Sequence, residues 1–400
     1  MPSRVFTEGI GHTNETVSAT VDSSGNLVMA KDIKLPAAGG IKDSSGNNLL
    51  TEAGSAVTLS DKVIPANSFM FRNKIINGNF DFWQRGTSQT SSGYGSTDRW
   101  GLGHATSSKT ASQQSFANGQ TDVPNNPKYY LRHVITSSSG GYVYAGQPIE
   151  GVETLSGKTV TLSFYAKADS NKNIASAYTR YYGTGGSPSP STFEDSIGVT
   201  THNLTTSWQK FTVTTTIPSI SGKTIGTDSN DYLGLEFWFE AGSSLNSRTN
   251  SLGNQSGTFD IAQVQLEEGS SATPFEHRPP GIELSLCQRY YYRLISEQIF
   301  TSFAIGRAFT TTNGTAVVFL PVPMRTSPPV LNFTAINNSG YTGAPWDYQL
   351  GSISLTTGQS KDNRTIGIQV TLAVSTSQSS WLLGTGNTSS YVFMDFTAEL

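Results

Sequence analysis

Apolar and polar residues alternate with a period of two in several stretches of the chain. Across residues 159–168, Leu162, Phe164, Ala166 and Ala168 share one face, and Thr161, Ser163, Tyr165 and Lys167 share the other. Across 231–241, Leu233, Leu235, Phe237 and Phe239 point one way while Tyr232, Glu236, Trp238 and Glu240 point the other. Successive side chains of a strand face opposite sides, so this pattern predicts strands with one face in a core and one in water. Residues 208–217 repeat the logic, with Phe211, Val213 and Ile217 inward. Further on, Ile366, Ile368, Val370, Leu372 and Val374 alternate, and so do Val392, Met394, Phe396 and Ala398, in a strand reaching almost to Leu400. Polar stretches rich in Gly, Ser and Pro, such as 183–191, separate the strands. The one helix predicted spans 282 to about 290, where Ile282, Leu286 and Tyr290 fall on one stripe. A helix that short is marginal alone and needs a surface to pack on. The expected fold class is all-β: antiparallel sandwiches or jelly rolls joined by turn-rich segments.

The first seventy residues differ. They hold one Phe before Phe69 and no Trp or Tyr, so they cannot build a globular core alone. Asp-Ser-Ser-Gly-Asn occurs at 22–26 and again at 43–47. This is turn chemistry, because Asp closes the turn and Gly tolerates positive φ. Short strand candidates flank the repeats at 27–29, 33–35 and 49–51. A unit this thin cannot bury its apolar side chains within one chain, so several copies wound round an axis, or a solvated tail, are the two readings. By analogy, symmetric trimers are the form expected for such a shaft. At 273–281 (TPFEHRPPG) the Pro-Pro-Gly run breaks the strand pattern. The expected division is 1–72, an attachment or shaft region; 73–281, a central sandwich; and 282–400, a short helix with a β-sandwich tip.

Composition narrows the chemistry. Only 14% of the 400 residues are charged and the net charge is -3, so no long-range field draws the chain to nucleic acid or an anionic membrane. Cys287 is the single cysteine, which excludes an intramolecular disulfide framework and a multi-thiolate zinc site. No apolar run has the length of a membrane span or of a secretory signal, so a soluble protein without membrane insertion is expected. The five His residues, His12, His104, His133, His202 and His277, are scattered without metal spacing. Glu267 and Glu268 are neighbours, so on a strand they face opposite sides and cannot form an acid/base pair. There is no GxSxG elbow and no Walker loop. The chain is therefore read as a non-enzyme.

Four segments carry a resemblance. IINGNFDFWQRGTS followed by STDRW, within residues 75–100, resembles the opening of a domain common in tailed-phage tail fibre and related virion proteins. FDIAQVQLEEGSSATPFEHRP (259–279) resembles its closing strand, LSLCQRYYYR (284–293) the linker after it, and FLPVPMRTSPPV (319–330) a strand and turn of the tip domain. The central domain also resembles jelly-roll carbohydrate-binding modules. That resemblance implies a structural calcium between an N-terminal and a final strand, at positions matching Asp81 and Asp260, with no other cofactor. The chain departs from the pattern in lacking a second carboxylate beside Asp260. Hard oxygen ligands would suit calcium; the other reading is that Asp81 caps a turn or pairs with Arg85 or Arg99.

The resemblance implies a homotrimeric virion tail fibre, assembled in the host cytoplasm and joined to other tail proteins through its N-terminal region. Its expected role is adhesion to a host surface glycan. The alternatives are an architectural virion protein and a glycan depolymerase spike. Tyr165, Tyr178, Tyr182 and Trp238 are candidate glycan contacts on outer sheet faces, or else aromatics buried under loops or between subunits. Tyr341, Trp346, Asp347 and Tyr348, in a Gly- and Pro-rich loop of the tip, are candidate receptor contacts. Asn77, Gly78, Phe80, Trp83, Arg85, Asp98, Arg99 and Trp100 form a structural motif, in which an Asp98–Arg99 pair between two Trp rings organises the sandwich edge.

Overall fold

The computed structural model describes residues 19–21, 27–29, 40–42, 48–53, 56–59, 71–138, 140–296, 302–308, 310, 313–326, 329–334, 340–342, 346–348, 350–355, 364–372, 381–384 and 392–400. The chain divides into two units, Met1–Met70 and Phe71–Leu400. In the first, β1 (Ala19–Val21) pairs antiparallel with β2 (Leu27–Met29), and β3 (Gly40–Lys42) with β4 (Asn48–Ala53), which in turn pairs with β5 (Ala56–Leu59). Each Asp-Ser-Ser-Gly-Asn repeat therefore stands between two paired strands. The repeats themselves and the strand expected at 33–35 lie outside the described residues.

The second unit opens with a sandwich of eleven named strands among the described residues. In chain order they are β6 (Ser88–Gln89), β7 (Gly101–Ala105), β8 (Ser108–Ser115), β9 (Tyr129–Ser137), β10 (Tyr142–Glu150), β11 (Thr159–Ala168), β12 (Lys172–Tyr181), β13 (Glu194–Leu204), β14 (Gln209–Thr216), β15 (Tyr232–Ala241) and β16 (Gly257–Glu268). A six-stranded sheet runs β14-β11-β16-β9-β8-β6 and a five-stranded sheet β13-β12-β15-β10-β7, with antiparallel pairing throughout. Strands adjacent in sequence repeatedly lie in opposite sheets, as β10 and β11 do, which is the crossing pattern of a sandwich. The alternation read from the sequence builds its core. Leu162, Phe164 and Ala166 of β11 meet Leu233, Leu235, Phe237 and Phe239 of β15, and the Phe164 and Phe237 rings sit 4.8 Å apart, edge to face. Burying these apolar faces is the main stabilising term of the sandwich.

Two pieces of helix follow. A single 3-10 turn (Ser243–Leu245) runs into α1 (Asn246–Thr249), which alternation did not reveal. The expected longer helix is α2 (Pro280–Gln288). It starts two residues earlier than its apolar stripe predicts, because proline fits the first helical turn, where its missing N–H has no partner to lose. Beyond it lie β17 (Tyr291–Ser296), β18 (Ser302–Ala308), β19 (Asn313–Phe319), β20 (Val330–Thr334), β21 (Gly340–Thr342), β22 (Trp346–Tyr348), β23 (Leu350–Leu355), β24 (Thr365–Leu372), β25 (Trp381–Gly384) and β26 (Val392–Thr397). They form sheets β17-β26-β20 and β23-β24-β19-β18-β25 and the pair β21-β22. A second core gathers Ala316, Val318, Ile366, Ile368, Met394 and Phe396. The protein is thus all-β with one helix longer than a turn among its described residues, as its sequence pattern predicts. None of those helices is long and apolar enough to cross a membrane.

Candidate functional site

The residues that carried the sequence motif work as a latch. Gly78 packs so closely on the last sandwich strand that a Cβ there would lie 2.1 Å from the Val264 carbonyl oxygen, while Val264 N–H donates to Gly78 O at 2.8 Å. Asn77, with φ of 56°, spreads its side chain over the turn: Nδ2 donates to Phe82 O, Thr97 Oγ1 and Asp98 O, and Oδ1 accepts from Phe82 N. That turn drops Phe80 and Trp100 into the core, ring centroids 5.3 Å apart. Trp83 Nε1 donates to Phe80 O at 2.5 Å. The expected Asp98–Arg99 pair between Trp rings does not form. Asp98 accepts from Gln84 N and Nε2, while Arg99 lies over the Tyr290 ring at 3.4 Å and Arg85 over Tyr291 at 3.5 Å. Both guanidiniums reach Glu399. The cluster joins the sandwich to the C-terminal sheets, where residues far away in sequence supply the partners.

The two carboxylates matched to a calcium site take separate partners. Asp260 is held by both nitrogens of an Arg132 fork, at 2.7 and 2.8 Å, whereas Asp81 accepts from Asn79 Nδ2 at 2.9 Å. Neither pairs with Arg85 or Arg99. Calcium takes six to eight oxygens, and no group of three or more His, Cys, Asp or Glu side chains suited to a metal occurs among the described residues. A calcium held between Asp81 and Asp260 would have to displace Arg132, so these two residues do not fit the ion.

Of the aromatic candidates, three are not on a free outer face. Tyr178 belongs to the sandwich core and is 1% exposed. Tyr182 is equally buried and its hydroxyl donates to Glu194 Oε2 at 2.7 Å. Trp238 does face outward from the five-stranded sheet, but Leu245, Leu252 and Arg248 of the 243–252 segment cover it. Tyr165 stands on the six-stranded sheet and Trp238 on the five-stranded one, so the two do not line one surface. Tyr341, Trp346, Asp347 and Tyr348 lie on the paired strands β21 and β22 instead of a continuous loop, with Tyr341 opposite Asp347. Their side chains lie outside the described residues.

Tyr165 leads to the site. On its outer face, three adjacent strands bring Lys167 of β11, Asp260 of β16 and Arg132 of β9 into one row across the sheet. Asp260 is buried and takes the Arg132 fork, while Lys167 Nζ lies 3.9 Å from it. The paired carboxylate raises the Arg132 pKa above its ordinary value, so the fork stays charged. Arg132 Nη2 also donates to the Tyr130 hydroxyl at 3.2 Å. Burial, and then the Asp260 charge, push that phenol up, so at neutral pH it keeps its proton.

Beside this polar row stand three rings. Phe116, at the end of β8, Tyr130, on β9, and Trp208, before β14, have centroids 4.7, 5.3 and 5.2 Å apart. Lys167 Nζ sits 5.3 Å from the Trp208 ring. Phe116, Trp208 and Tyr165 are half-buried, so their rings are fixed and still reachable. The wall on one side is the 117–128 loop, which Gln263 pins by donating to Pro124 O at 2.9 Å. Gln263 can reach it because β16 bulges there, with φ of 48°, and two of its residues oppose one of β11. Its Oε1 is a buried acceptor with no hydrogen-bond partner among the described residues. Rigid rings beside a charged fork make a surface suited to a polyhydroxylated ring, whose C–H face packs on aromatics while its hydroxyls exchange hydrogen bonds at the rim.

Sequence reading found Tyr165 and Asp260 but missed Phe116, Tyr130, Arg132, Lys167 and Trp208 as a group. Their one local signal is alternation in β9, where Tyr130 and Arg132 point outward between Leu131 and His133.

No family model matches the chain, and no curated protein matches it. Solved structures do resemble it. The enzymatically active domain of tailspike protein 4 from bacteriophage CBA120 aligns at 12% identity and a TM-score of 0.31, over 50% of this chain and 22% of that one. A family 11 carbohydrate-binding module from Clostridium thermocellum, solved with a mixed-linked tetrasaccharide, aligns at 12% identity and 0.27 over 46% and 98% of the two chains. The N-terminal cellulose-binding domain of a Cellulomonas fimi β-1,4-glucanase gives 16% and 0.27 over 47% and 98%. At scores this low the reading of the face rests on its own residues.

Proposed function

We propose that the outer face of the six-stranded sheet binds a glycan, and that the protein is the adhesive, non-enzymatic body of a tailed-phage tail fibre. The observation that carries the glycan reading is the fixed ring trio, with Phe116 and Trp208 half-exposed and packed on the buried Tyr130, beside the Arg132–Asp260 fork. The fibre reading rests on the ordered motifs of residues 75–330. A homotrimer assembled through the thin N-terminal region would place three such faces on one particle, so that weak single contacts add up by avidity. The N-terminal region would join the other tail proteins.

Trp208→Ala tests the site. Glycan-array screening followed by titration of the best ligand should give at least a tenfold weaker Kd for the variant, about 1.4 kcal/mol, with an unchanged unfolding midpoint. Unchanged affinity would refute this face as the site. Light scattering should give three times the chain mass of 42.8 kDa; a monomer would refute the fibre reading. New reducing ends on incubation with the bound polysaccharide would refute the non-enzymatic reading and favour a depolymerase.

A further inference from the structure

Asn-Gly occurs three times in the chain, at 77–78, 118–119 and 313–314. This dipeptide carries a reaction of its own. The backbone nitrogen that follows an Asn can attack the side-chain carbonyl carbon and close a five-membered ring, and a Gly in that place, lacking a Cβ, leaves the approach unhindered. A folded chain permits the reaction only where the Asn amide is free to turn onto the backbone, the next N–H is free to lose its proton, and water reaches both.

Two of the pairs do not meet these conditions. Asn77 is 1% exposed, and Phe82, Thr97 and Asp98 hold its side chain in the latch. Asn313 and Gly314 open β19, where Gly314 is buried and paired with Ala308 of β18 on one side and Val370 of β24 on the other.

The third pair meets them all. Asn118 and Gly119 are the exposed central residues of a turn closed by Gln120 N, which donates to Ala117 O at 3.2 Å. Gly119 has φ of 75°, a value that favours glycine at the third position of a turn, and a Cβ there would meet nothing within 4 Å. Neither the Asn118 side chain nor the Gly119 N–H has a hydrogen-bond partner among the described residues. The loop is fastened on either side of this tip. Phe116 N donates to Lys128 O at 3.1 Å, while the Gln120 side chain donates to Val123 O at 2.8 Å and accepts from Val123 N at 2.9 Å.

We propose that Asn118 is a self-modification site, at which Gly119 N closes onto Asn118 Cγ and converts the residue to aspartate or isoaspartate. The Gly119 N–H gives its proton to solvent base, the N–Cγ bond forms, and the Cγ–Nδ2 bond breaks with release of ammonia. Water then opens the cyclic imide. Cleavage of the new N–Cγ bond gives aspartate, and cleavage of the original bond to the main-chain carbonyl carbon gives isoaspartate, whose backbone runs through Cγ. One water is consumed and one ammonia lost, and no oxidant or cofactor is needed. Each event adds one negative charge to a chain whose net charge is -3. The new carboxylate stands on the 117–128 loop that walls the aromatic face, but the proposal does not rest on that face binding a glycan.

Peptide mapping by mass spectrometry, after storage of the full chain at mildly alkaline pH with a urea-unfolded sample beside it, tests the site. In the folded protein the Asn118 peptide should exchange NH for O in its mass and separate into aspartate and isoaspartate forms. It should do so about tenfold faster or more than the Asn77 and Asn313 peptides, which must wait for local opening. In urea all three should convert at similar rates. Anion-exchange chromatography should show the main acidic form growing in wild type and missing from Asn118→Gln, whose longer side chain cannot close the five-membered ring. Conversion of Asn77 or Asn313 at the rate of Asn118 in the folded protein would overturn the proposal. So would an Asn118 that stays intact there while it converts in urea, or the same acidic form arising from Asn118→Gln.

Discussion

Gly78 shows at single-residue scale why the Asn-Gly-Asn-Phe motif reads so strongly. Neighbouring backbone, not a flexible side chain, occupies the space where a Cβ would go. Gly78→Ala must therefore push the latch off β16, and an overpacked site of this kind costs about 1–3 kcal/mol. Urea unfolding should show a loss of at least about 1 kcal/mol; a wild-type midpoint would mean the latch is not closed as described. A second residue sets a pH dependence. His133 is fully buried, stacked on Phe239 at 4.3 Å, and neither ring nitrogen has a hydrogen-bond partner among the described residues. Desolvation lowers its pKa to about 3. The folded pKa lies below the unfolded one, so the unfolded chain takes up a proton near pH 6.5 that the folded ring refuses until about pH 3. The ring's contribution is thus intact above pH 6.5 and falls by about 1.4 kcal/mol per pH unit as the pH drops between 6 and 4. His202, lowered to about 4 by burial, acts in the same direction, and Asp98, raised to about 6, acts in the opposite one. Comparing His133→Leu with wild type isolates the one ring: the variant's stability should fall less steeply by about 1.4 kcal/mol per unit, and parallel curves would refute it.

At the scale of elements, the strands that showed themselves in the sequence are those that alternate apolar with polar residues, even where, as in β15, the second face is buried too. β11, β15, β24 and β26 lie where alternation puts them, with Phe164, Phe237, Ile368 and Phe396 inward. Period two tells which side chains share a face of one strand. It does not tell which strands share a sheet, because hydrogen-bond partners are chosen by non-local packing. That is why alternation alone does not show that Tyr165 and Trp238 stand on opposite sheets. Tyr178 misled for a related reason. It is polar at one atom, but it stands opposite Leu235, and both side chains belong to the core. Trp238 faces outward as its alternation predicts, yet its cover comes from the 243–252 segment, whose helical turns are too short to leave a periodic signal. The Phe116–Tyr130–Trp208 trio was invisible in the same sense. Its members come from the ends of three segments, and only the order β14-β11-β16-β9-β8 brings them to one end of a sheet.

Across the whole second unit, the jelly roll and the C-terminal sheets are bound by buried charge as well as by apolar contact. Glu399 receives Arg85 and Arg99, whose side chains are 7% and 1% exposed, while Arg325 ties the neighbouring backbone by donating to Ala398 O, Glu399 O and Ser229 O. The cationic partners are stacked on Tyr291 and Tyr290, the first residues after α2, so the junction is held in register from both sides. A pair this dry is hard to assemble but severe to break, because removing one partner strands the other charge in low dielectric. Glu399→Gln keeps the shape and removes the charge. It should cost about 3 kcal/mol and split a single calorimetric transition into two, with the C-terminal sheets melting first on their smaller core. Glu268→Gln is the matched control: its partner Lys158 is 52% exposed, and such surface pairs contribute about 0–1 kcal/mol. If the two variants unfold alike, the junction is an apolar contact decorated with charges. If only Glu399→Gln separates the two transitions, one buried carboxylate shared by Arg85 and Arg99 holds the C-terminal sheets to the sandwich.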